Sequence, residues 1–287
     1  MNDNYEYIPC PTDIFPGGAG LRAELRYTCE NIQASDHTDD ESHIHSCCEI
    51  YFNLRGNVSF WVENNVYPVS EGDIIITKPN EFHHCIYHED ILHEHYCLWL
   101  TAEEGMMDLL QFIYERKNGS DNRISMNAQA HLQLVRELSI LRDAQKNNGI
   151  SRADTLRALF SILALLHEHR RNTGAPQDLP ADLLTVIQFI DGNYSEDCST
   201  MALERRFFIS RSTLNRRFRM YLNTSPSHYV EARRMAAAKI LLESGTSVQD
   251  TCMRCGFTDY SHFIARFRRR FGVTPLQYAR QASKKNK

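Results

Sequence analysis

No uncharged apolar run in this chain of 287 residues approaches the roughly 18 residues that a membrane-crossing helix needs, so none is expected. The opening MNDNYEYIPC lacks a basic stretch leading into an apolar one, which argues against a secretory leader. Nine cysteines form no even framework of regular spacing. The adjacent pair Cys47-Cys48 and the lone cysteines within apolar runs point instead to reduced thiols in a reducing cytosol. The expectation from these absences is a soluble cytoplasmic protein with no membrane partner. Its length allows about two domains, and a hydrophobic content of 42% can fill their cores.

What is present is divided unevenly. Residues 1–179 hold 14 Lys+Arg against 27 Asp+Glu, a net of −13, whereas residues 180–287 hold 18 against 9, a net of +9. A basic module joined to an acidic one suggests a polyanion-binding half beside a half with another task.

From Leu21 to about Leu100, short β-rich runs at Glu49–Leu54, Val58–Val62 and Asp73–Thr77 are broken by turn signals at Arg55-Gly56-Asn57, Glu63-Asn64-Asn65 and Ser70-Glu71-Gly72. Short strands at this spacing predict a sandwich or barrel. Past Glu103 the period becomes helical, at Met106–Arg116, Asn127–Asp143 and Ser151–Arg171, with Ser151 as an N-cap. Asn172–Asp178 has no periodicity and is expected to be a linker. Everything from Leu183 onward is helical again. The expected α+β layout is a β domain over 1–102, a helical connector over 103–171, a linker over 172–180 and an all-helical basic domain over 181–287.

Within the basic domain, two helix-turn-helix units are expected in series. In the first, a short helix with Leu203 and Phe207 is followed by a turn at Phe208-Ile209-Ser210. Ser210 caps Arg211–Tyr221, which buries Leu214 and Phe218 and leaves Arg211, Ser212, Asn215, Arg216 and Arg219 on its other face. Asn pairs with adenine and Arg with guanine in the major groove, so Asn215 and Arg216 are the leading base readers. A merely solvated polar face is the plainer alternative. A long helix, Ser227–Leu242, carries Arg233 and Arg234, better suited to phosphates or salt bridges than to bases. The second unit pairs a helix near Val248–Arg254 with one starting near Asp259, through a turn in which Gly256 takes positive φ.

The pattern carried by Ala238, Leu241, Leu242, Val248, Cys255, Gly256, Phe257, Asp259, Ser261, Phe263, Phe267, Gly272, Thr274, Pro275 and Tyr278 resembles the AraC/XylS-type transcription regulator signature. A weaker copy runs through Ser210, Leu214, Phe218, Pro226, Tyr229 and Arg233. The resemblance covers about the last 105 residues. It implies two helix-turn-helix motifs reading successive major grooves of double-stranded DNA, with RNA polymerase a further candidate partner. Three departures stand out: Glu204 where the family packs a small Ala, Thr251-Cys252 where Ile/Val-Ala is usual, and Ala265 where an Arg commonly sits. One residue along a helix turns a side chain by about 100°, so Arg266 need not replace that Arg. Base reading is therefore expected from Ser212, Asn215 and Arg216, more weakly from Tyr260, Ser261 and Ile264. Phosphate contacts fall to Arg211, Arg219, Arg233, Arg266, Arg268 and Arg269.

In the β domain, His43-x-His45-x-x-x-Glu49 followed by Gly56 resembles the first cupin motif, and Gly72-Asp73, Pro79 and His83-His84 approximate the second, with Glu81 where a Gly is usual. The resemblance implies a barrel in which His43, His45, Glu49 and either His83 or His84 could hold a divalent metal such as Fe, Mn, Ni or Zn. The same pocket could take a small, sugar-like effector without metal, or be a hydrogen-bonded cluster of structural purpose only. Further histidines (His88, His93, His95) and Cys85 and Cys97 add some weight to metal or redox sensing. Trp61, Tyr51, Phe60 and Tyr67 could stack on a sugar ring, although aromatics at alternating strand positions more often form core. The apolar stripe Leu156, Leu159, Phe160, Leu163 and Leu166 is wide enough to cover both the barrel and a second copy, so a homodimer is expected. The leading function is a DNA-binding transcription regulator that senses a small molecule and is not an enzyme. The alternatives are a metal-dependent cupin enzyme fused to a helical domain, and a ligand-independent dimeric regulator.

Overall fold

A computed structural model describes residues 20–33, 44–146 and 149–285. They fall into two compact units that divide between Asp178 and Leu179.

The N-terminal unit is built on two antiparallel sheets. The larger has the order β1-β7-β2-β5-β8, from β1 (Leu21–Ile32), β2 (Cys48–Arg55), β5 (Ile74–Thr77), β7 (Ile91–Ala102) and β8 (Arg123–Ile124). The smaller has the order β4-β3-β6, from β3 (Val58–Val62), β4 (Asn65–Val69) and β6 (His83–Ile86). Three of these strands coincide with the expected runs, and their turns fall at the expected signals. Gly56 and Gly72 take positive φ, as does Glu63 at the β3–β4 hairpin.

Strand alternation gives the larger sheet two different faces. On β7, Tyr96, Leu98 and Leu100 enter an apolar cluster with Leu134, Leu138 and Leu141 of α2 (Ala128–Gln145) and Leu159, Ile162 and Leu166 of α3 (Arg152–His169). His95, Cys97 and Trp99 alternate with them and line the opposite face with Tyr51 and Glu49. The end of α2 also covers the sheet edge: the Gln145 side chain accepts from Leu25 N at 2.7 Å and donates to its carbonyl at 2.8 Å. This occupies one outward-facing N–H and C=O of the edge strand, groups that would otherwise be open to another strand.

Two expectations need correction. Met106–Arg116 is not one helix but a 3₁₀ segment, Glu104–Leu110, followed by the single turn α1 (Gln111–Tyr114). Residues 172–178 are not a free linker. Thr173 bridges Ile124 on β8 and Gln177 bridges Val66 on β4, so this strap joins the exposed edge of one sheet to that of the other. Low periodicity marked the segment as irregular, but its backbone partners lie far away in sequence.

The C-terminal unit is helical throughout: α4 (Ala181–Asn193), α5 (Thr200–Phe207), α6 (Arg211–Leu222), α7 (Pro226–Glu243), α8 (Val248–Arg254), α9 (Tyr260–Phe271) and α10 (Pro275–Lys285). Five of these begin at side chains that accept from the backbone of the first turn: Ser199, Ser210, Ser225, Ser247 and Asp259. Each satisfies an N–H that the helix itself cannot pair. Phe263, Phe267, Phe271 and Tyr278 pack with Met235, Ala238 and Leu242 to hold α9 and α10 on α7. Asp191 of α4 accepts from Tyr229 Oη at 2.7 Å and pairs with Arg233 at 2.9 Å, tying α4 to α7.

Candidate nucleic-acid interface and barrel site

The two helix-turn-helix units are α5–α6 and α8–α9. In the first, the turn passes through Phe208, a bulky residue at φ 55° that is 94% exposed. Leu203 of α5 and Leu214 and Phe218 of α6 are fully buried. Ser212, Asn215 and Arg216 lie exposed along α6 as expected, and Asn215 donates to Arg211 O at 2.8 Å. Glu204, out of place for the family, holds the start of α6 by accepting from Arg211 N at 3.3 Å and Arg211 Nε at 2.9 Å. Arg211 is thus engaged with its own neighbour.

In the second unit Gly256 has φ 76°, and a Cβ there would strike the backbone of Ser195. Thr251 and Cys252, also departures, are buried, and the Cys252 thiol donates to Phe257 O at 3.6 Å. Tyr260 and Ser261 are exposed, but Ile264 packs against the apolar cluster and is the least accessible of the three expected readers. Arg266 turns toward α7 and pairs with Glu231. Arg233, largely buried, is occupied by Asp191. Arg233 thus takes the salt-bridge alternative that the sequence left open, while Arg266 is half-buried and paired within its own unit. Arg219, Arg268 and Arg269 remain exposed at the ends of α6 and α9.

In the barrel, the side chains of His45, Glu49 and His83 converge, one ligand atom from each lying within 4.8 Å of the others. His45 Nε2 is 2.6 Å and His83 Nε2 is 3.4 Å from the same Glu49 oxygen. Trp99, which sequence reading missed, donates its indole N–H to that oxygen at 2.7 Å. The alternating run His93, His95, Cys97, Trp99 was the signal that could have found it. Burial opposes ionisation of Glu49, but the charge and hydrogen bond of His45, with those of His83, hold its carboxyl well below the usual carboxylate range. Burial likewise disfavours the charged form of His83, but the hydrogen bond and charge of Glu49, together with those of Glu81, outweigh it and raise its pKa. His83 Nδ1 donates to Glu81 O at 2.8 Å, leaving Nε2 to face the carboxylate. A two-imidazole, one-carboxylate set held from behind in this way fits a divalent transition metal as well as a proton.

Of the two histidines left open by the sequence, His83 joins the cluster. His84 points the other way along β6 and meets the edge of Trp61 at 6.2 Å. His43 lies outside the described residues. Tyr51, Phe60 and Tyr67 form core between the sheets. Farther along, Tyr51 Oη lies 2.5 Å from His93 Nε2, His95 stacks on His93 at 4.6 Å, and burial pushes the His95 pKa down to about 4. Glu81 proves structural: wholly buried, it accepts from Lys78 N, Gly119 N, Asn122 Nδ2 and Arg116.

Residues 203–281 match the model of a helix-turn-helix domain and residues 32–91 that of a cupin domain. The HTH-type transcriptional activator RhaS of Escherichia fergusonii is 28% identical over 84% of this chain and 88% of its own length. RhaS of Salmonella arizonae is 27% identical over 81% and 85%. Among solved structures, ToxT of Vibrio cholerae O395 is 12% identical, covering 91% of this chain and 98% of that one with a TM-score of 0.37. The chain is a DNA-binding regulator of the AraC/XylS type with an N-terminal cupin-like domain. No helix among the described residues is long and apolar enough to cross a membrane.

Proposed function

We propose that α6 reads the operator, that α9 anchors the complex on phosphates, and that the barrel binds a small polyhydroxylated effector which activates or relieves transcription. The observation carrying the DNA assignment is the exposed row Ser212, Asn215 and Arg216 on a capped helix whose opposite face is buried. The effector assignment rests on the buried Glu49, His45 and His83 with Thr77, whose hydroxyl has no hydrogen-bond partner among the described residues. Carboxylate, imidazole and hydroxyl groups together suit sugar hydroxyls. The effector acts only through different affinities for two DNA-binding states. The test is selection of a duplex by the full chain, then titration of sugars and polyols. A sugar that shifts the unfolding midpoint and changes operator affinity supports the reading, and none doing so in wild type sinks it.

The converging donor set favours a second reading, in which His45, Glu49 and His83 hold a divalent metal. The metal would act as a Lewis acid toward effector oxygens. Elemental analysis of purified protein, with Glu49→Gln as the comparison, decides this: stoichiometric metal lost in the variant supports it, and no metal in either opposes it. The relatives being named as transcriptional activators, we favour a regulatory role for the barrel over catalysis, with promoter-bound RNA polymerase as partner. We further propose that the chain works as a homodimer through the outer faces of α2 and α3.

A further inference from the structure

We propose that the N-terminal unit carries a second ligand site, outside the barrel interior, for a small organic anion with an apolar body. A cavity of about 270 Å³ is lined by Ile76, Phe112, Arg116, Asp121, Arg170 and Arg171, among others. Ile76 belongs to the outer face of the larger sheet, packed in the helix-covered cluster, so this cavity lies across the sheet from Glu49, whose partner Thr77 alternates with Ile76 along β5. Three guanidinium groups meet Asp121 in the lining and, behind Arg116, the buried Glu81, which still leaves a positive excess beside apolar walls.

Two of the three arginines are held in place before any ligand arrives. Arg116 is buried except for a tenth of its side chain, donates to Ser120 O at 3.1 Å and pairs with Glu81 at 3.3 Å. Its Nε is buried with no partner among the described residues. Arg170 donates to His167 O at 2.6 Å at the end of α3. Arg171 is exposed beside them. Fixed guanidinium forks match carboxylate and phosphate oxygens, and less entropy is lost on binding when the donors are already ordered. The apolar wall of Ile76 and Phe112 gives an organic anion an advantage over a bare inorganic one.

The position also gives the site a route to regulation. Arg170 and Arg171 immediately precede the strap, and the C-terminal unit begins at Leu179. An anion held between the sheet wall and this stretch would stabilise one setting of the strap.

The experiment is isothermal titration calorimetry on the full chain, with phenyl phosphate and hexanoate as probes. Inorganic phosphate, phenol and hexanamide are the comparisons. Both organic anions should bind saturably at one site, the uncharged compounds should not, and inorganic phosphate should bind about tenfold more weakly. Arg170→Gln and Arg171→Gln should each raise Kd about tenfold, with the thermal midpoint unchanged for Arg171→Gln. Arg22→Gln, which removes an exposed charge on β1, should leave Kd as it was. The absence of saturable binding, or equal Kd in wild type and both arginine variants, would overturn the site. Inorganic phosphate binding as tightly as phenyl phosphate would overturn the ligand class.

Discussion

Arg216 and Arg268 carry the same charge in different settings, one along the face of α6 and one in the last turn of α9. Arg216→Ala should relax base preference at one position of the operator, at a cost of about 1–3 kcal/mol there, while Arg268→Ala should weaken binding evenly and lower the salt slope by about one. Mobility shifts over a salt series on specific and random duplexes measure both. Equal losses on the two duplexes for Arg216→Ala would remove its role as a reader. Glu81 makes a second case. The sequence marked it only as a departure from the second cupin motif, because three of its partners, Arg116, Gly119 and Asn122, arrive from more than 30 residues away. Removing a buried carboxylate from such a network leaves several donors unpaired, so Glu81→Ala should lower stability by about 3 kcal/mol. A urea midpoint within error of wild type would contradict this.

At the scale of elements, what could be read from sequence was whatever is fixed locally. Ser151 and Ser210 cap the helices they were expected to cap, because capping needs only the next three residues. Gly256 was legible for the same reason, as a turn position with positive φ. Elements set by distant partners were not legible. The stretch 104–114 has helix-like apolar spacing yet is mostly 3₁₀, and 172–178 pairs with strands β8 and β4. The salt-bridge partners of Arg233 and Arg266 could not be named, because Asp191 and Glu231 come together with them only in the folded unit. The turn residue gives the sharper test at this scale. Gly256→Ala meets both a strained φ and the Ser195 backbone, so it should abolish DNA binding together with the cooperative unfolding of the C-terminal unit. Ser210→Ala should cost only about 1 kcal/mol, with binding retained on cooling. Calorimetry with mobility shifts separates the two, and a native transition in the Gly256 variant would refute the first.

For the whole molecule, the division of charge noted in the sequence concentrates the positive charge in the DNA-binding unit, and a single copy of that unit offers DNA few free base readers. On the proposed reading Ser212, Asn215 and Arg216 supply most of the specificity, with Tyr260 and Ser261 exposed on α9 beside them, since Ile264 is packed inward and Arg266 is paired. Two tethered copies would multiply modest affinities without any new contact. Most of the stripe expected to bind a second copy is already spent on the barrel: Leu159, Leu163 and Leu166 are buried within the unit. What remains outward is Leu132 on α2, 71% exposed, and Phe160 on α3, 37% exposed. If these residues join two copies, Leu132→Glu with Phe160→Glu should give a monomer by light scattering. The double variant should also bind a two-site operator about a hundredfold more weakly, with affinity for a single half-site unchanged. A dimer mass in that variant would place the interface elsewhere. A monomer mass for wild type would mean that the specificity of one unit suffices.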